Sequence, residues 1–293
     1  MNILKAIGRS CCLFLALSHL FGGVVMPLWA AKNPGVAIEN GKSVEDIKRA
    51  LIRIQTTCEY QFELTGFAFE PRTVTLTFTG LSNGVIVAHK EKSDFALTAR
   101  HGVLCDETKK DFVKKVMIDP VLKDVLAKQG VDLNSVFYVS GKRIGLSFFY
   151  EDQRYTRIKV VKSLRRGDDI DVAAEKSVVE IEFPEGVLHE HLPILDDEST
   201  YGILTPVVVW GYHFSKGQWG VQAFPALILE KDTDKGVLII SGRLLPGFSG
   251  SPLLFFFNGT YYVLGVVVSV DLERNLTFIV RIQPSFLESV LEK

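Results

Sequence analysis

The chain has 293 residues, 47% of them hydrophobic and 23% charged. That composition excludes global disorder and leaves enough apolar mass for a sizeable core. The 33 basic and 34 acidic side chains nearly cancel, to a formal charge of −1, so no nucleic-acid partner is expected.

In chain order, Lys5 and Arg9 precede an apolar run from Cys11 to Ala31 that ends in the small pair Ala30-Ala31. A basic start, an apolar centre and a small-residue end read as a secretory signal peptide. The run also approaches the ~20 residues that span a bilayer, so residues 1–31 are a signal peptide or a retained membrane anchor. Either way the rest of the chain is exported, periplasmic or secreted, and meets a membrane only through this segment. Residues 32–57 form an N-terminal extension with a helix. There Ser43 and Asp46 make a capping box, and Val44, Ile47, Leu51 and Ile54 recur at helical spacing, which predicts a helix over Ser43–Ile54.

From about Tyr60 the apolar period changes. Thr73–Phe78 alternates with period two, Val85–Val87 less clearly, and short strands separated by turn residues follow to the C-terminus. They include Ile144–Tyr150, Tyr155–Val161, Val207–Gly211, Val221–Leu229, Val237–Ile240 and Leu276–Ile282. Asn258-Gly259 between Leu253–Phe257 and Tyr261–Val268 is the clearest hairpin signal. A helical island interrupts the pattern at 107–130. Asp119 caps it, Pro120 opens its second half, and Val121, Leu122, Val125 and Leu126 form its stripe up to Gly130. Pro284–Leu291 reads as a closing helix.

Of the four cysteines, Cys11 and Cys12 lie in the export segment. Cys58 and Cys105 remain as one pair, either a disulfide or two buried thiols. His189-Glu190-His191 places two histidines on one strand face, but no third ligand is close in sequence. An exposed turn is expected there, with no metal and no cofactor in the protein.

Three stretches carry the chemistry: Leu97-Thr98-Ala99-Arg100-His101, Asp171-Val172-Ala173-Ala174-Glu175-Lys176 and Gly247-Phe248-Ser249-Gly250-Ser251-Pro252. A serine hydroxyl is a weak nucleophile unless a base lies within hydrogen-bond reach and a third group holds that base. The order His, acid, Ser excludes an α/β-hydrolase built on Ser249, because all six histidines precede it. The three stretches resemble the histidine, aspartate and serine motifs of the chymotrypsin/trypsin-like serine peptidases, bacterial in type. The peptide-binding PDZ domain of the bacterial stress proteases is not expected, because the stretch after Val267 is too short to hold one.

The resemblance implies an all-β fold of two packed antiparallel six-stranded β-barrels, with an N-terminal helix, a helical insertion and a C-terminal helix. The first barrel would occupy 58–177, with its insertion at 107–130, and the second barrel and closing helix 178–293. It implies a serine endopeptidase acting on polypeptides through an acyl-enzyme, with His101 as base, Asp171 as orienting acid and Ser249 as nucleophile. The backbone N–H groups of Gly247 and Ser249 would form the oxyanion hole. Asp168 and Asp169 compete with Asp171, which alone has Val-Ala next and a lysine five residues on. Phe248 stands where the family has a polar residue, and Glu175 interrupts an apolar stretch. The alternative is a catalytically inactive scaffold of the same fold acting as a binding protein.

Overall fold

A computed structural model describes residues 43–64, 72–105, 120–132, 134, 136–163, 175–215, 217–242, 244, 247–271 and 273–292. Residues 1–31, Asp119, Asp168, Asp169 and Asp171 lie outside them. None of the described helices is long and apolar enough to cross a membrane.

Helix α1 (Val44–Arg49) starts as its sequence predicts. The Asp46 N–H donates to Ser43 Oγ at 3.2 Å, and the Ser43 N–H donates to Asp46 Oδ2 at 2.7 Å. The helix does not reach Ile54. Strand β1 (Leu51–Leu64) begins two residues after it ends. The expected helical stripe at Leu51 and Ile54 is instead the start of a central strand that pairs with β2 (Arg72–Lys90) on one side and β4 (Val136–Tyr150) on the other. Leu51 to Ile54 are buried without a break, and a doubly paired strand satisfies their backbone while burying both faces. Helical spacing of four apolar residues could not outweigh that.

Seven strands make the first sheet, in the order β5-β4-β1-β2-β3-β7-β6. The further members are β3 (Ser93–Ala99), β5 (Gln153–Tyr155), β6 (Ile158–Ser163) and β7 (Lys176–Ile181). The two segments expected near 73–78 and 85–87 are one continuous strand, β2. The sheet therefore starts at Leu51 rather than 58, and it includes β7, so the division between halves falls after Ile181 rather than at 177. Ile52, Ile54, Ile86, Phe148, Tyr150 and Val179 fill its interior.

The second half is a closed six-stranded barrel, β10-β13-β12-β11-β8-β9. It comprises β8 (Pro206–Ser215), β9 (Gln218–Asp232), β10 (Val237–Ser241), β11 (Pro252–Phe257), β12 (Thr260–Asp271) and β13 (Leu276–Arg281). Asn258 and Gly259 both take positive φ, 47° and 81°, and close the β11–β12 hairpin as their sequence predicts. The all-β, two-part architecture implied by the sequence motifs is thus present, with seven strands rather than six in the first part.

Helix α2 (Pro120–Lys128) is the described part of the insertion. It ends at Gly130, φ +73°, where the Val131 N–H returns to the Leu126 carbonyl and the Gly130 N–H to that of Ala127. Leu126 is buried with Cys58, Cys105 and Phe62, whereas Val125 is exposed, so the stripe is narrower than expected. Cys58 and Cys105 are joined by a disulfide with Cα atoms 5.7 Å apart. It ties the segment after His101 to β1.

The two halves share a core. Ile47, Leu51, Val85 and Leu97 from the first pack with Leu254, Val266 and Val280 from the second. Helix α3 (Pro284–Leu291) closes this seam as expected, burying Phe286 and Leu287. Lys162 of β6 donates to the Phe286 carbonyl at 2.9 Å and lies 4.3 Å from its ring centre. Arg53 adds a second crossing. Its guanidinium stands 4.9 Å from the Phe149 ring, 5.3 Å from Tyr212 and 4.7 Å from Trp219. Burial lowers the Arg53 pKa, and Asp152, bonded at 3.0 Å, opposes that shift.

Candidate active site

Strand β3 delivers the base. It pairs with β2 and β7 along its length and ends at Ala99, from which a single 3-10 turn, Arg100–Gly102, carries His101. The turn is anchored on both flanks. The Arg100 N–H donates to the Glu175 carbonyl at 3.0 Å, and Thr56 Oγ1 donates to the Gly102 carbonyl at 2.6 Å. The imidazole itself remains 39% exposed, so it is open to a substrate.

The described acid beside this imidazole is Glu175. Its Oε2 lies 3.4 Å from His101 Nδ1, and its side chain is only 10% exposed. With Nδ1–H directed at a carboxylate, Nε2 is left as the proton acceptor, which is the tautomer that acyl transfer needs. Glu175 is placed by the strand it introduces. Lys176 pairs with Ala99, so the residue just before β7 meets the residues just after β3. Asp171 lies outside the described residues, and the structure gives it no position.

Ser249 sits in a turn that enters β11. Gly247 has φ +100° and Gly250 φ +81°, conformations that favour glycine. A Cβ on Gly250 would stand 2.0 Å from the Asn83 carbonyl oxygen and 2.5 Å from Thr98 Oγ1, so Gly250 lies directly against β2 and β3. Phe248 between them is 1% exposed. It packs edge-on to Phe224 at 4.8 Å and stacks on His213 at 5.6 Å, inside the second barrel. The departure at Phe248 thus replaces a polar anchor with an apolar one. Ser251 is fully buried against Gly211, whereas Ser249 is partly exposed, which leaves Ser249 as the accessible hydroxyl of the motif.

Asn83 holds this turn to the first sheet. Its backbone N–H donates to the Ser249 carbonyl at 2.7 Å and its Nδ2 to the Gly247 carbonyl at 2.7 Å. Its Oδ1 accepts from the Tyr212 N–H at 2.7 Å, and Thr98 Oγ1 donates to its own carbonyl at 2.6 Å. At 1% exposure it is a buried side-chain amide joining β2, β8 and the serine turn. Among the described residues neither the Gly247 N–H nor the Ser249 N–H donates a hydrogen bond, so both are free for an oxyanion. No hydrogen bond joins His101 to Ser249 among the described residues.

The sequence brought His101, Gly247 and Ser249 to notice; the fold sets the Ser249 turn against β2 and β3, and β3 is the strand that leads to His101. It noted Glu175 only as an interruption of an apolar stretch and did not bring Asn83. The signals were slight: the lone amide of β2, and an acid directly ahead of the strand that pairs with β3. A groove of about 740 Å3 between β2, β6 and α3 is lined by none of these residues.

No family model matches the sequence, and no curated protein matches it. Solved structures similar to it include a thermostable serine protease, AL20, from an extremophilic microorganism. That chain is 12% identical with a TM-score of 0.49, over 80% of this chain and 95% of that one. The protease of tobacco vein mottling virus is 10% identical with a TM-score of 0.47, over 86% of this chain and 85% of its own.

Proposed function

We propose that the protein is an exported serine endopeptidase. Ser249 attacks the carbonyl of a peptide bond, His101 takes the hydroxyl proton through Nε2, and the Gly247 and Ser249 N–H groups stabilise the oxyanion. His101 then returns the proton to the leaving amine, and water resolves the acyl-enzyme by the same route. No cofactor enters this chemistry. The observation that carries the reading is the bracing of the Ser249 turn, through Asn83 and Thr98, onto β2 and onto β3, the strand that leads to His101.

We assign the orienting role to Glu175 rather than Asp171. Glu175 is nearly buried, lies beside Nδ1, and is fixed by the β3–β7 ladder. A glutamate serves as well as an aspartate in this role if its reach is matched by its backbone position. The Cys58–Cys105 disulfide supports export, since such bonds persist in oxidising compartments. A preference for Lys or Arg at the cleaved bond has no support, because no acid lies between Gly242 and Phe248.

One observation favours the second reading, an inactive scaffold that binds a partner: the missing direct bond between His101 and Ser249. Catalytic hydrogen bonds commonly tighten only when substrate is bound. A fluorophosphonate probe separates the two readings. The enzyme predicts covalent labelling of the wild type and none of Ser249→Ala. Absence of labelling in a folded wild-type protein would leave the scaffold.

A further inference from the structure

We propose that His89, Asp94 and His189 form a binding site for a divalent transition-metal ion of the zinc class, at the end of the first sheet away from His101. The two histidines come from distant parts of the chain. His89 is the last residue but one of β2 and is paired across the hairpin with Asp94, the second residue of β3. His189 arrives on the segment that leaves β7 for the second barrel. That segment is fixed here by hydrogen bonds from the Glu190 N–H to the Arg49 carbonyl and from the Leu192 N–H to the Ile86 carbonyl. Considered along the sequence, His189 has only His191 for company. The fold gives it different neighbours.

The donor atoms converge. Asp94 Oδ1 lies 2.9 Å from His89 Nδ1 and 3.0 Å from His189 Nε2, and all three atoms lie within 4.8 Å of one another. A tetrahedral zinc ion with bonds of ~2.0–2.1 Å holds its ligand atoms ~3.3 Å apart. The two short separations need to open by only a few tenths of an ångström. Asp94 is 2% exposed, so its carboxylate is committed to this spot, while the His89 side chain is half exposed and leaves room for a water as fourth ligand.

The orientation of the His189 ring supplies a second argument. His189 Nδ1 lies 3.1 Å from the Val187 carbonyl oxygen, which can only accept a hydrogen bond. Nδ1 therefore carries the proton, and in the neutral ring Nε2 presents a lone pair. Nε2 faces the Asp94 carboxylate oxygen at 3.0 Å, close enough for the two atoms to share a proton or a metal cation. An imidazole whose other nitrogen donates to a backbone carbonyl, with the free nitrogen aimed at a shared centre, is the arrangement metal-bound histidines adopt. The ring is also held in place by Phe183, stacked on it at 4.4 Å and 19°. Two imidazoles and one carboxylate, with no thiolate, suit zinc and its neighbours rather than calcium or magnesium.

Asp94 is separated from His101 by the length of β3, ~20 Å at ~3.3 Å per residue. The ion would thus act on structure, pinning the β2–β3 hairpin to the segment between the two halves. The proposal is independent of the peptidase reading, and its test needs no activity.

The full exported chain as Ser249→Ala is stripped with chelator and titrated with Zn2+ by calorimetry, and its melting temperature is followed with and without the ion. One ion per chain at micromolar affinity or tighter is expected, with a higher melting temperature. His89→Ala and His189→Ala should each weaken binding at least tenfold without unfolding the protein. Co2+ in place of Zn2+ should give the strong visible bands of a four-coordinate ion, lost in the His189→Ala variant. Absence of saturable binding at 100 μM Zn2+, or binding equally tight in the His89→Ala/His189→Ala double variant, would overturn the proposal.

Discussion

Glu175→Gln tests the assignment of the orienting acid. The substitution keeps the shape and removes the charge 3.4 Å from His101 Nδ1. At an effective dielectric of about 20, two unit charges at that distance interact by about 5 kcal/mol. The imidazole is 39% exposed, and solvent screening can halve that figure. The imidazolium that forms as Ser249 attacks would therefore lose about 2.5–5 kcal/mol of stabilisation, a fall of about two to four decades in kcat/KM. The assay is hydrolysis of a peptide library pool or, without a substrate, the rate of fluorophosphonate labelling. Far-UV circular dichroism and the melting temperature should confirm that the fold survives. Asp171→Asn in parallel should change the rate by less than threefold. A folded Glu175→Gln protein with wild-type labelling, beside an Asp171→Asn protein that has lost it, would refute the reasoning and return the role to Asp171.

Three further outcomes follow from the same geometry. Ser249→Ala should leave the melting temperature within 2 °C of wild type, as flagged by the roughly ±0.5 kcal/mol of a mild substitution, and abolish labelling with turnover down by ~10^4-fold or more. Asn83→Ala strips the Gly247 carbonyl and the Tyr212 N–H of their side-chain partners, which should cost about 2–4 kcal/mol in urea unfolding and slow labelling at least ~100-fold. Replacing Cys58 and Cys105 by alanine opens a loop spanning 47 residues, for which chain entropy gives about 4 kcal/mol, read as a lower melting temperature that reducing agent no longer changes.

How far the sequence foretold this protein depended on whether a feature was local. The Asn258-Gly259 hairpin, the Ser43 cap and the closing helix at Pro284 are each set by a few adjacent residues, and each forms where its sequence predicts. Leu51 and Ile54 were misread because their partners, Val85, Ser82 and Phe148, lie far along the chain and determine strand over helix. The same holds at the site. His101 and Ser249 stand in compact motifs, so they were legible. Glu175 acquires its place only through the pairing of Lys176 with Ala99. Asn83 acquires its place only because β2, β8 and the serine turn meet around it. Neither has a local pattern that announces a role.

Phe248 shows how the turn keeps its shape without the polar residue the motif usually has there. On one side, burying a phenylalanine among Phe224 and the second-barrel core contributes about 2–3 kcal/mol. On the other side, Asn83 ties Gly247 and Ser249 to the first sheet. Ser249 lies between these two anchors, one in each half of the molecule. Its hydroxyl is therefore located by the packing of the halves against each other. Under the proposed mechanism, the seam that Leu51, Leu97, Leu254 and Val266 bury would serve catalysis too, because any slip along it would move the nucleophile relative to the base.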